Sequence, residues 1–186
     1  MQEALKVNGT VLEYVPDALK TPECCLTAVR NYGSALEFVP AELKTLDMCR
    51  KAVAQNGRAL SWGPVQYIDA ALCREAVEQG AGMTSVPEQF RIPELWHLAL
   101  AKDGDSLRDA PDSLRNEEVC TLAVRSSGTA LRYVPDEFIT RELCFEAVGN
   151  EPRALKYVPV EKLSRDEYTA ICKLAFENEK WGVGND

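Results

Sequence analysis

Apolar and polar positions along this chain recur in a block of about 24 residues. Aligned on proline, the block reads Gly-x-Ala-Leu-x-Tyr-Val-Pro-x-x-Leu-Lys-Thr-x-Glu-Leu-Cys-x-x-Ala-Val-x-x-Asn. The registering prolines are Pro16, Pro40, Pro64, Pro87, Pro111, Pro135 and Pro159, spaced 24, 24, 23, 24, 24 and 24 residues. Such a period marks a solenoid, in which each unit buries its apolar face only by stacking on the next. The second half of each block predicts a helix. It opens at a side chain able to cap a free backbone N–H: Thr21, Thr45, Asp69, Asn116, Thr140 and Ser164. Pro22 and Pro93 follow at the position where proline loses no hydrogen bond. Acids such as Glu23, Asp47, Glu117 and Glu142 suit the first turn, and Leu143, Ala147 and Val148 give a core-facing stripe.

The first half of the block predicts a second, shorter helical element, such as Ser34 to Val39, which proline stops. Gly33, Gly57, Gly80 and Gly128 are expected to close the longer helices as left-handed caps. Small residues at Ala35, Ala59, Ala130 and Ala154 allow close packing between neighbours. The expected fold is all-α: one α-helical repeat solenoid over residues 1–186, about seven units of short helical hairpins. Residues 1–9 match only the latter part of the long helix and read as a partial first repeat. Residues 160–186 read as an atypical C-terminal cap, with about four extra residues before Cys172 and a closing Trp181-Gly182-Val183-Gly184.

Composition narrows the function. Hydrophobic residues make up 46% of the 186, so the chain has a core to bury. A net charge of −8 disfavours general binding to a nucleic-acid backbone or to anionic lipid. No apolar run approaches the roughly 18 residues of a membrane helix, and the N-terminus lacks a signal-peptide pattern. The expectation is a monomer in a reducing cytoplasm, or a bacterial effector exported without a cleavable signal.

Seven cysteines invite a metal or redox reading. Six fall in one column: Cys25, Cys49, Cys73, Cys120, Cys144 and, allowing for the insertion, Cys172; Trp96 takes that place in the fourth unit. Packed helices lie about 8–10 Å apart, whereas thiolates on one zinc are only about 4 Å apart. The column therefore reads as small buried hydrophobes, with no metal and no cofactor. Cys24 is the expected exposed thiol. His97, the single histidine, stands beside Trp96 in the least regular unit. An enzyme would have to use Cys24 or His97; no phosphate loop, zinc pair or serine nucleophile motif accompanies them.

One variable column is ordered by charge. Three residues before each proline stand Glu13, Glu37, Ser61, Thr84, Arg108, Arg132 and Lys156. Held on one face, they would orient a charged partner. Glu13, Glu37, Arg108, Arg132 and Lys156, with Trp96 and His97, are the candidate binding residues.

The runs Thr129-Ala130-Leu131-Arg132-Tyr133-Val134-Pro135 and Glu142-Leu143-Cys144-Phe145-Glu146-Ala147-Val148 resemble an uncharacterised helical repeat family, a domain of unknown function found in tandem in bacterial proteins, some effector-like. The resemblance covers nearly the whole chain and is weakest over residues 80–104 and after Pro159. It carries no catalytic residues to transfer. The period is also similar to that of the leucine-rich variant repeats, without the cysteine cluster of their iron–sulfur module. The resulting expectation is a non-enzymatic module for a protein or peptide partner, effector- or immunity-like. The alternatives are spacer repeats within a longer chain, or an enzyme.

Overall fold

The computed structural model describes residues 2–182, so Val183 and Gly184 of the closing run lie outside the described residues. Among the described residues there is no strand. Eight α-helices alternate with short 3₁₀ segments: α1 (Gln2–Val7), α2 (Pro22–Asn31), α3 (Leu46–Gln55), α4 (Ala70–Glu78), α5 (Pro93–Lys102), α6 (Glu117–Ser126), α7 (Arg141–Asn150) and α8 (Arg165–Gly182). The chain divides into two compact units between Leu95 and Trp96. Each is an all-α solenoid of stacked repeats.

The N-caps fall where the side chains predict. Thr21, Thr45, Asp69, Asn116 and Thr140 accept from the backbone N–H three residues on. Ser164 and Glu167 form a reciprocal capping box, with Ser164 N donating to Glu167 Oε2 at 2.8 Å.

The shorter element is 3₁₀ and not α. It runs Gly9–Tyr14, Gly33–Phe38, Gly57–Trp62, Gly104–Asp109, Gly128–Tyr133 and Pro152–Tyr157. The reason is its three-residue spacing of inward positions. Gly33, Leu36 and Val39, or Gly128, Leu131 and Val134, are all buried. A 3₁₀ turn has three residues, so these positions eclipse on one face. Proline then starts a second 3₁₀ turn, for example Ala41–Leu43 after Pro40.

The left-handed caps hold at Gly80 alone. Its φ is +82°, and Ala81 N–H bonds to Ala76 O at 2.8 Å while Gly80 N–H bonds to Val77 O at 3.0 Å. This is a Schellman ending. At Gly9, Gly33, Gly57, Gly104 and Gly128 the backbone is not left-handed. Glycine is needed there because a Cβ would overlap the carbonyl of Ala28, Ala52, Ala76, Ala123 or Ala147 in the long helix of the same block. Glycine–alanine contact thus lets the turn that follows one long helix lie against the next long helix within each unit.

Polar side chains brace the stack. Lys20 and Lys44 donate to the carbonyls of Phe38 and Trp62, one repeat on, at 2.9 and 2.7 Å. Asn31 donates back to Leu5 O at 3.3 Å, Ser126 to Ala101 O at 3.1 Å and Asn150 to Val124 O at 3.1 Å. These bonds satisfy carbonyls left free at helix ends.

The last repeat corrects the sequence register. Helix α8 starts six residues after Pro159, as α7 does after Pro135, so no insertion separates them. Tyr168 therefore occupies the cysteine column. Ile171, fully buried, takes the alanine position, and Cys172 sits one helical turn beyond the column. Pro152 and Ile171 replace the glycine and alanine together, a matched change of both partners in the repeat contact.

Candidate binding face

The 3₁₀ geometry that turns every third residue inward turns the two residues before the buried valine outward. Those two positions carry the charged column and the consensus aromatic. In the second unit they form a continuous file: Arg108, Tyr133, Arg132, Tyr157, Lys156. The Arg132 guanidinium lies 4.5 Å from the Tyr133 ring centroid and 5.5 Å from that of Tyr157, and donates to Tyr157 Oη at 3.0 Å. Lys156 Nζ lies 4.7 Å from the Tyr157 centroid. Each cation thus faces an aromatic quadrupole, an attraction of about 0.5–1 kcal/mol at exposed sites in general.

Carboxylates hold the arginines in place. Arg132 pairs with Asp105 at 3.2 Å, and Arg108 with Asp109 at 3.3 Å. Asp109 first, and Tyr133 more weakly, push the Arg108 guanidinium further toward protonation. Lys156 first, then Arg132, hold the Tyr157 phenol below its ordinary pKa. Thr129 Oγ1 also donates to Asp105, at 3.4 Å, and Thr129 N–H to Glu151 at 3.3 Å.

In the first unit the same columns carry Glu13, Glu37, Ser61 and Thr84, all exposed, beside Tyr14, Phe38, Trp62 and Ser85. Tyr14 is 80% exposed, while Phe38 and Trp62 are half-buried. The charge order read from the sequence is therefore an order of exposed positions within each unit.

Two candidates land elsewhere. Trp96 is only 3% exposed: it fills the cysteine position from within the core and offers no surface to a partner. His97 is half-buried on the wall of an open groove of about 600 Å³, with Asn116, Glu117, Glu118, Thr121, Leu122 and Arg125. No cysteine lines that groove.

Burial governs most of the thiols. Cys24 is 3% exposed, against the expectation that it is the accessible one; it faces inward beside Cys25. Cys172, half-buried, is the accessible thiol. Burial raises the pKa of Cys25, Cys49 and Cys144, and pushes Cys73 and Cys120 up to about 11. A nucleophilic cysteine needs the opposite shift. Among the described residues no group of three or more His, Cys, Asp or Glu could hold a metal ion. No helix among them is long and apolar enough to cross a membrane.

Sequence reasoning missed Asp105, which anchors Arg132, and the tyrosines as partners of the cations. The signal was present: tyrosine belongs to the consensus immediately after the charged column.

The model of a domain of unknown function, DUF4116, matches residues 21–67 and again 93–139. Together the two matches cover half of the chain. The chain belongs to the DUF4116 family. Each DUF4116 match begins at a long helix, at Thr21 and Pro93, and spans two of the 24-residue blocks with their 3₁₀ turns. Tyr157 and Lys156 fall outside both matches, whereas Arg108, Arg132 and Tyr133 fall within the second. No curated protein and no solved structure gives a significant match to this DUF4116 chain.

Proposed function

We propose that the chain is a non-enzymatic binding module whose second unit presents the Arg108–Tyr133–Arg132–Tyr157–Lys156 file to an acidic protein or peptide. That file is the observation that carries the reading: cationic and aromatic groups, held at repeat spacing on a rigid scaffold, are the usual anchors of protein recognition. The raised thiol pKa values favour binding over nucleophilic catalysis. Seven free cysteines suit a reducing compartment, and the net charge of −8 argues against nucleic acid and anionic membranes as partners. An effector- or immunity-like role in bacteria is the finer form of the same proposal, with the chain acting as a monomer.

Selection from a displayed random-peptide library tests the reading. Wild-type protein is expected to enrich acidic peptides, and the triple variant Arg108→Glu, Arg132→Glu, Lys156→Glu to lose them while melting at the same temperature. No enrichment by the wild type, or equal enrichment by the variant, would sink the proposal.

A further inference from the structure

The outward file changes sign between the two units, and only the second unit supplies its own cation. There Arg132 lies 4.5 Å from the Tyr133 ring centroid and 5.5 Å from that of Tyr157, with Asp105 at 3.2 Å. Two rings from consecutive repeats and one carboxylate thus flank one guanidinium. In the first unit the same 3₁₀ positions carry rings and carboxylates. Tyr14, Phe38 and Trp62 end the segments Gly9–Tyr14, Gly33–Phe38 and Gly57–Trp62, and Glu13 and Glu37 stand where the second unit has its cations.

A carboxylate gains nothing from the negative face of a ring, so Glu13 and Glu37 cannot play the part of Arg132. Among the described residues no cation lies over Tyr14, Phe38 or Trp62, and none pairs with Glu13 or Glu37. Two lysines of the same stack are committed to backbone. Lys20 donates to Phe38 O and pairs with Asp17, and Lys44 donates to Trp62 O, where it feels Glu37 only at longer range. Tyr14 is largely exposed and Phe38 and Trp62 are half-buried, so each ring keeps surface open to solvent.

We infer that the Glu13–Tyr14–Glu37–Phe38–Trp62 file of the first unit binds arginine side chains from a basic peptide segment of a partner protein. Each guanidinium takes the place that Arg132 holds in the second unit, at the ring positions of consecutive repeats. Glu13 or Glu37 serves as its counter-ion, in the part of Asp105. Arginine suits the site better than lysine, because its planar group stacks on a ring and meets a carboxylate at the same time. Packed helices lie about 8–10 Å apart, and an extended chain advances about 10 Å in three residues. Arginines three apart therefore reach both acidic rungs. This face is opposite in charge to the one proposed for the second unit and stands independently of it.

The test is fluorescence anisotropy on the full chain with two labelled peptides: one with two arginines three residues apart in a glycine–serine background, and one with glutamine for both arginines. The arginine peptide should bind saturably, and the glutamine peptide at least roughly tenfold more weakly. Glu37→Gln should weaken the arginine peptide by roughly threefold to tenfold, and Phe38→Leu and Trp62→Leu, which remove a ring without touching charge, by a similar factor. Glu37 is exposed, so Glu37→Gln should melt with the wild type and keeps the test valid if a ring variant fails to fold. Glu78→Gln removes the same charge from the exposed end of α4, away from the file, and should leave binding unchanged. Absence of saturable binding, or an equal loss in Glu78→Gln and Glu37→Gln, would overturn the inference, the latter in favour of net charge alone. Binding indifferent to both ring substitutions would overturn it as well. Sedimentation gives the last outcome: a dimer that Glu37→Lys dissociates would assign the file to a second copy of this chain and sink the separate basic partner.

Discussion

The two units are alike inside and opposed outside. In the first, Leu12, Leu36 and Leu60 line the core; in the second, Leu107 and Leu131 do the same, with the same buried alanines, valines and cysteines between them. Along the outward column the first unit carries Glu13 and Glu37, and the second Arg108, Arg132 and Lys156. Stacking explains the likeness: each repeat must fit both neighbours, so a change in one interior position demands a change in the next. The outward column touches no such template and is free to differ. What the chain does is therefore to be sought where its repeats disagree.

The interior likeness can be broken most severely by cavity formation. Leu36→Ala in the first unit and Leu131→Ala in the second should each cost roughly 2–5 kcal/mol in denaturant unfolding. Leu155→Ala, at the half-buried end position, should cost clearly less. A loss below about 0.5 kcal/mol at Leu131 would place the core on the wrong face.

Alkaline titration sharpens the likeness through one thiol in each unit. Cys73 and Cys120 are both pushed from 9.0 to about 11, chiefly by burial. The native state then keeps its thiol proton where the unfolded chain has lost it. The contribution is intact below about pH 9 and is lost as pH rises toward about 11, at up to roughly 2–3 kcal/mol per thiol. Cys73→Ala and Cys120→Ala should each flatten that fall in stability by similar amounts. A stability profile unchanged across this window would show that the thiols are not held in apolar surroundings.

Glycine substitutions separate two roles that look the same in sequence. Gly33→Ala and Gly128→Ala place a Cβ against a backbone carbonyl of the following long helix, and should cost about 1–3 kcal/mol or more in either unit. Gly80→Ala meets nothing within 4 Å but must hold φ at +82°, which should cost about 1 kcal/mol. Equal costs at Gly80 and Gly128 in thermal melts would count against this division.

Much of the fold was legible because it is periodic. The prolines set the register, the caps at Thr21, Thr45 and Thr140 opened the helices, and Leu131 and Ala147 marked the interior. The 3₁₀ character was also written in the chain, as Gly33, Leu36 and Val39 at intervals of three, whereas the expectation of a short helical element did not distinguish 3₁₀ from α. The glycines misled because close approach and a left-handed turn both select for the same residue. Cys172 misled because an expected cysteine was matched by type, while the helix start after Pro159 had already fixed the register and put Tyr168 there. For the candidate face, Arg108, Arg132 and Lys156 were visible as a column. Asp105 was not, because it reaches Arg132 from the preceding repeat, 27 residues away, and no local spacing reports such a contact.

The finest test of the outward difference is the titration of Tyr157. Its phenol is held below the ordinary value first by Lys156 and then by Arg132, so it reports both neighbouring cations at once. Lys156→Met should raise its pKa most, Arg132→Met less, and Glu37→Met in the first unit not at all, read from the near-ultraviolet absorbance of phenolate. The sign follows from charge: a cation beside the ring stabilises phenolate, so removing it delays ionisation to higher pH. None of the three should shift the melting temperature resolvably, because exposed charges contribute little to stability. If Tyr157 titrates identically in all three variants, the cations do not lie on the ring in solution. The second unit would then present separate charges and rings, and the contrast with the acidic first unit would reduce to net charge alone.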